Sequence, residues 1–315
     1  MNDNTTIDPE WDVIIIGGGF AGLSAAYMLG RARRRVLIID SGEPRNRFAP
    51  HMHGVLGRDG YSPLALLADG RRELAEYGVV IRADTATGAT RTDAGFAITT
   101  ADGTIASTRR LLVTSGIRDE LPAIDGLVEQ WGTGVVVCPY CDGWEVRDQR
   151  IAVLATGAGS HQAFMLRQWS ADVTYFTRGE FPPSDDDRRT MDARGIRIDE
   201  RPVTRAVSEN GRLRGLEIEG ALVPVDSIFT APTLLAQDDL LVSLGAERET
   251  GRFGEFIAVD PMFATTAPGV WAAGNVVNPG AAVPIAMGAG TAAGAAINFD
   301  LTLDDNARAL EGLSA

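Results

Sequence analysis

The only two cysteines of the chain, Cys138 and Cys141, lie in Cys138-Pro139-Tyr140-Cys141-Asp142-Gly143, directly after the apolar run Val135 to Val137. Two cysteines exclude a disulfide framework, and C-x-x-C spacing leaves redox exchange or half of a metal site. Redox exchange is the expectation. The thiolate is the attacking form, and a helix that starts at the pair favours it through its dipole. Asp142, immediately after the second sulfur, is placed to move a proton as each sulfur attacks or leaves. A plain helix cap is its other possible role. His51 and His53 offer one completion of a metal site, but the second C-x-x-C or H-x-x-x-H of a zinc centre is missing, so no metal is expected.

A second group of residues points to a nucleotide. Gly17-Gly18-Gly19-Phe20-Ala21-Gly22 follows the apolar run ending at Ile16 and opens a helical stretch. Such glycines permit a tight turn and let N–H groups at the helix start approach a pyrophosphate. Asp40 ends the next apolar run, where an acid accepts the ribose hydroxyls of an adenosine. Strand, glycines, helix, strand and acid together predict a dinucleotide site. A weaker copy follows Ile151 to Leu154, in Ala155-Thr156-Gly157-Ala158-Gly159-Ser160. Ala155 and Ser160 take the outer positions, and an alanine methyl at the first is expected to crowd the turn. Thr177-Arg178-Gly179, after the next strand, offers neither an acid for a ribose hydroxyl nor an arginine pair for a 2′-phosphate. Gly157, Gly159, Ser160 and Arg178 are therefore either a nicotinamide site or the remains of one.

The elements that must hold these groups alternate between β-branched runs and helical stretches, the pattern of parallel α/β units. Strands are expected at Trp11 to Ile16, Val36 to Ile39, Ile151 to Leu154 and Val173 to Phe176, with helices at Ala21 to Arg34 and Gln162 to Ser170. Val79 to Thr114 reads as a hairpin-rich meander that includes Gly95 to Thr100 and Arg110 to Val113. Phe181 to Arg189, with two prolines and three aspartates, reads as a solvated loop. Crossing points at Gly116 to Gly126 and Ala231 to Asp239 give two Rossmann-like, three-layer ββα domains. Residues 1–117 and 237–315 form the first, and residues 118–236 form a second domain inserted into it.

Composition narrows the chemistry further. The chain has 315 residues, is 45% hydrophobic and carries a net charge of −13. Every basic residue is arginine, which excludes a Schiff-base lysine, a phosphate-loop lysine and a pyridoxal anchor. The acidic balance excludes nucleic acid and anionic membrane as partners. Met1 to Asp12 has no basic head or apolar stretch, so a cytoplasmic location is expected. Two uncharged stretches, Val13 to Gly30 and Pro261 to Phe299, are rich in glycine and small residues, which suits a buried backbone around a ligand rather than a membrane span.

The glycine fingerprint, Cys138 and Cys141 followed by Asp142-Gly143, the second α/β unit and Gly269-Val270-Trp271-Ala272-Ala273-Gly274-Asn275 together resemble low-molecular-weight thioredoxin reductases, the class II pyridine nucleotide-disulfide oxidoreductases. The resemblance runs from about Trp11 to Leu301. It implies a homodimer whose split domain holds FAD through Gly17 to Gly22, Asp40, Arg45, Asn46, Gly116, Gly274 and Asn275. It further implies that Cys141 is the sulfur beside the flavin, that Cys138 exchanges with substrate, and that Asp142 is the acid/base.

Several positions depart from that family. Asn275 replaces the usual aspartate, an Arg-Gln pair is absent near Ala281-Ala282, a His-Arg-Arg group is reduced to Arg178, and Pro-Tyr replaces Ala-Thr between the cysteines. With Gly42-Glu43-Pro44-Arg45-Asn46 and His51-Met52-His53-Gly54, these changes are more similar to the bacterial reductase-like enzymes that include the dithiol oxidases of holomycin and gliotoxin biosynthesis. That likeness implies a small-molecule dithiol as donor and oxygen as final acceptor, with no need for NADPH. It also puts His51 and His53 near the flavin, as a second base or as loop packing. Asp142 matches the reductases, so NADPH-dependent reduction of a thioredoxin-like protein disulfide is the alternative. A flavin-binding redox sensor is the third reading.

Overall fold

The computed structural model describes residues 10–157 and 160–314. The chain divides into two compact units. One comprises the described residues up to Arg47, Gly54–Arg118 and the chain from Leu234; the other comprises Phe48–His53 and Asp119–Thr233. Phe48–His53, expected with the first domain, thus clusters with the second.

The first unit starts with Trp11–Ile16 (β1), Phe20–Arg31 (α1), Val36–Asp40 (β2) and Pro63–Ala75 (α2). Val80–Ala83 (β3), Ala86–Thr92 (β4), Gly95–Thr100 (β5), Ile105–Val113 (β6) and Ile117–Glu120 (β7) follow. Its main sheet runs β3-β2-β1-β6-β5-β4; β1, β2, β3 and β6 are parallel, and β4 and β5 return antiparallel. Val13 and Ile15 face one core with α1, whereas Ile14 and Ile16 face the other with Phe96 and Ile98. The unbroken apolar run of β1 is what burial on both faces of a sheet requires.

The second unit is built from Val135–Val136 (β8), Pro139–Asp142 (α3), Ile151–Leu154 (β9), His161–Leu166 (α4), Val173–Phe176 (β10), Asp185–Ala193 (α5) and Arg197–Asp199 (β11). Arg205–Glu209 (β12), Arg212–Ile218 (β13) and Ala221–Pro224 (β14) form an antiparallel meander, and Ser227–Thr230 (β15) returns to a parallel sheet ordered β11-β10-β9-β15-β8. The helix α5 corrects the expectation of a loop over Phe181 to Arg189. Ser184 accepts a hydrogen bond from Asp187 N at 3.1 Å, and three aspartates occupy the first turn. Negative charge at a helix start is stabilising, so the residues that read as loop begin a helix instead.

Thr233–Ala236 (β16) pairs with β7, and the first unit resumes with Asp239–Ser243 (α6), the hairpin Arg248–Gly251 (β17) and Gly254–Ile257 (β18), and Val270–Ala272 (β19), which joins β6 in parallel. Val283–Ser314 (α7) closes it, packed on α1. The two helices approach so closely that a Cβ at Gly290 would sit 2.0 Å from Ala21 O, and one at Gly294 would sit 2.6 Å from Ala25 O. Farther along α7, Asp304 and Asp305 meet the buried Arg109 of β6 at 2.6 and 2.5 Å. Among the described residues no helix is long and apolar enough to cross a membrane.

Candidate active site

The glycine turn sits at the carboxyl end of β1. Gly17 adopts φ +100°, and its N–H donates to Ile39 O at 2.8 Å. A Cβ on Gly22 would lie 2.0 Å from Gly17 O, so glycine is obligatory where α1 passes over the turn. A Cβ on Gly19 would meet nothing within 4 Å. Gly19 is the N-cap of α1 and supplies no side-chain cap, and the first turn, beginning Phe20-Ala21-Gly22, has no acidic residue. Orphan N–H donors in this arrangement are what a pyrophosphate needs.

Asp40 ends β2 with its carboxylate mostly buried, and Arg71 Nη2 of α2 donates to its Oδ2 at 2.9 Å. Oδ1 remains to accept from a ribose hydroxyl. Arg71 carries no motif and lies thirty-one residues beyond Asp40, so only the fold identifies it.

A second arm of this region closes around Gly274 and Asn275. Gly274 has φ +80°, and a Cβ there would press on that of Ala21 at 2.9 Å. Asn275 Nδ2 donates to three backbone carbonyls, those of Asn278, Pro279 and Ala281, at 3.0, 3.2 and 3.1 Å. Arg45 Nη1 donates to the same Pro279 O at 2.9 Å. Asn46 follows Arg45, half-buried, and Gly116 turns the chain at φ +72° after β6. These residues fit FAD: a turn with donors for a pyrophosphate, an acid for a ribose, and an amide whose nitrogen clamps the loop beside them.

The cysteines lie in the second unit. Cys138 and Cys141 are bonded as a disulfide, with their Cα atoms 5.2 Å apart. Cys138 is the N-cap of α3, a single turn, so dipole assistance comes from one turn only. Asp142 ends that turn instead of capping it, which removes the cap reading. Trp169 packs over the backbone of Gly143, where a Cβ would lie 2.9 Å from the indole, and Tyr140 meets the same indole edge-on with centroids 6.1 Å apart. Burial first and the nearby Glu145 anion second push the Asp142 carboxyl up to about 6, against the opposing influence of His53. His53 Nε2 is 3.3 Å from Glu145 Oε1, and the His51 ring packs edge-on against His53 with centroids 5.2 Å apart. Glu145, in the turn three residues beyond Asp142, escaped sequence reading because no motif marks it. Among the described residues no group of three or more His, Cys, Asp or Glu could hold a metal.

The degraded fingerprint is also located. Ala155 is buried and its N–H donates to Phe176 O at 2.9 Å, matching the bond made by Gly17. It takes no left-handed backbone conformation, so its methyl does not crowd the turn as expected. Ser160 is buried and hydrogen-bonded with Tyr175, and Gly159 lies outside the described residues. At the carboxyl ends of β9, β10 and β15 lies a cleft of about 580 Å³ whose lining includes Thr156, Gly157, Arg178 and Phe181. Arg178 is its sole basic lining residue, with its guanidinium stacked on Phe181 at 4.9 Å and 3.4 Å from the Glu180 carboxylate.

Comparison with known proteins places these features in a family. Residues 11–293 match the model of pyridine nucleotide-disulphide oxidoreductases. Thioredoxin reductase aclD of Aspergillus oryzae is 31% identical over 95% of this chain and 99% of its own, and thioredoxin reductase sirT of Leptosphaeria maculans is 28% identical over 92% and 94%. Among solved structures, HlmI superimposes with a TM-score of 0.93 at 43% identity, covering 98% of both chains. The oxidoreductase of Agrobacterium tumefaciens superimposes at 0.87 with 38% identity, over 93% of this chain and 99% of that one. Dinucleotide cradle, redox disulfide and family match agree: the chain belongs to the pyridine nucleotide-disulphide oxidoreductases, as an FAD-dependent disulfide oxidoreductase of the thioredoxin reductase-like class.

Proposed function

We propose that the protein is a nicotinamide-independent dithiol oxidase acting on a small-molecule dithiol. The observation that carries this reading is the engagement of Arg178 with Glu180 and Phe181 at the second-unit cleft. A 2′-phosphate there would have to displace Glu180 and would find no second guanidinium. Each charge-assisted hydrogen bond lost in that way forfeits about 1.5–3 kcal/mol. The first unit shows no such loss.

In the proposed reaction a substrate thiolate attacks Cys138 Sγ, the Cys138–Cys141 bond breaks, and Cys141 leaves as thiolate. The second substrate thiolate then attacks the substrate sulfur of the mixed disulfide, releasing a cyclic disulfide and the Cys138 thiolate. Asp142, half-charged near pH 6, takes a proton from an incoming thiol. The chemistry that FAD supplies when bound is acceptance of the electron pair from Cys141 and its delivery to dioxygen, giving peroxide and restoring the disulfide. Gly17 to Gly22, Asp40, Asn275 and Arg45 would hold and orient it. The alternative, NADPH-dependent reduction of a thioredoxin-like disulfide, draws on Asp142 and on the similarity to the thioredoxin reductases aclD and sirT.

An anaerobic titration of the holoprotein decides between the two. Bleaching of the flavin by a small dithiol but not by NADPH, reversed on admitting air, is the expected result. Rapid bleaching by NADPH overturns the oxidase direction. Cys141→Ser should abolish dithiol-driven bleaching, and wild-type rates in that variant would sink the assigned electron path. Steady turnover with any dithiol excludes a flavin sensor without catalysis.

A further inference from the structure

Thiol exchange at Cys138–Cys141 needs one proton acceptor, yet three ionisable groups gather beside it. Asp142 ends α3, and Glu145 follows it in the next turn. His53 reaches the same place from the Phe48–His53 segment, which clusters with this unit. The Glu145 and His53 side chains are only 30% and 22% exposed, with the ring nitrogen 3.3 Å from the carboxylate. No hydrogen bond contributes to the state of the Asp142 carboxyl; it is governed by burial and by the charges of Glu145 and His53. His51, edge-on to His53, completes the ring of titratable groups, and Trp169 walls the backbone between Asp142 and Glu145.

Burial disfavours the charged form of a carboxyl, and a neighbouring anion disfavours it too. We propose that Glu145, held against His53, is a positioning residue of thiol exchange whose charge tunes Asp142 as the proton acceptor beside the disulfide. The inference rests on the reading of Cys138–Cys141 as the exchanging pair and of Asp142 as its proton acceptor. The sign of each neighbour's influence is fixed by its charge. The Glu145 anion holds the proton on Asp142, and a cationic His53 drives it off. An exchange that consumes one proton site per attack is thereby given an acceptor that changes state close to neutrality.

The test is single-turnover reduction of the flavin in the holoprotein by dithiothreitol, without oxygen, followed across pH. The wild-type rate is expected to fall on the acid side with a midpoint near the value of about 6 to which Asp142 is raised. Glu145→Gln should move that limb to lower pH by about one unit. His53→Gln should move it the opposite way, and Glu145→Asp should return it toward wild type. A mere structural role for Glu145 would change the plateau rate and leave the midpoint in place, which overturns the proposal while Asp142→Asn still abolishes the limb. Persistence of the limb in Asp142→Asn would instead overturn the reading of Asp142 itself. Should Glu145→Gln fail to accumulate, the His53→Gln midpoint alone decides: an acid limb that does not rise overturns the cluster.

Discussion

The turns after β1 and β9 are built on the same frame and arrive at different ends. In each, the first turn residue donates its N–H to the end of the neighbouring strand, Gly17 to Ile39 and Ala155 to Phe176. After β1 the backbone is left-handed at Gly17, α1 passes within contact at Gly22, and the next strand ends in an acid held by Arg71. After β9 the chain avoids the left-handed region at Ala155, Ser160 turns to Tyr175, and the next strand leads to an arginine already paired with Glu180. On the proposed reading, a βαβ frame is not by itself a nucleotide site. What makes one, on that reading, is glycine where backbones touch and an acceptor oxygen, here Asp40 Oδ1, left open where the ligand arrives.

The largest test of that contrast is Gly22→Val set against Ala155→Gly. The valine would clash with Gly17 O, and we expect purified protein without flavin, seen as loss of the yellow absorbance. Ala155→Gly should leave the flavin-to-protein ratio unchanged, and loss of flavin in both variants would erase the distinction. Asn275→Asp is expected to come next. A carboxylate cannot donate to the carbonyls of Asn278, Pro279 and Ala281, and flavin affinity should fall about 10- to 100-fold, measured by recovery of flavin fluorescence. Tighter binding would mean that Asn275 is a weakened flavin contact and no clamp. The smallest effect is expected from Glu180→Gln. Freeing Arg178 from a carboxylate that is 68% exposed should tighten NADP binding by about two- to fivefold in calorimetry. Strong NADP binding by the unaltered protein would break the comparison outright.

Much of this was legible before any coordinates. Unbroken apolar runs, Val13 to Ile16 and Ile151 to Leu154, announced β1 and β9, because strands buried on both faces need them, and the glycine fingerprint with Asp40 announced the cradle. The rest depended on contacts between distant residues. Arg71 finds Asp40 only because α2 brings it to the end of β2, and His53 finds Glu145 only because its segment packs with the second unit. The acidic start of α5 read as loop because aspartate and proline disfavour helix interiors, while at a helix start both are favoured. Ala155 looked obstructive because the fingerprint assumes a left-handed residue at that position, which this turn does not use.

The close packing of α7 on α1 also has a consequence for biogenesis. Gly290 and Gly294 support Ala21 and Ala25, the very turns of α1 that open onto the cradle, yet they come after the whole inserted unit in chain order. Domains generally fold as they leave the ribosome, first portion first. Here the unit bearing the cysteines is complete while the first unit still lacks β19 and the helix that braces its glycine turn. Flavin loading must therefore wait until α7 has been made, and the disulfide-bearing unit emerges into the cell before the flavin that serves it can be held.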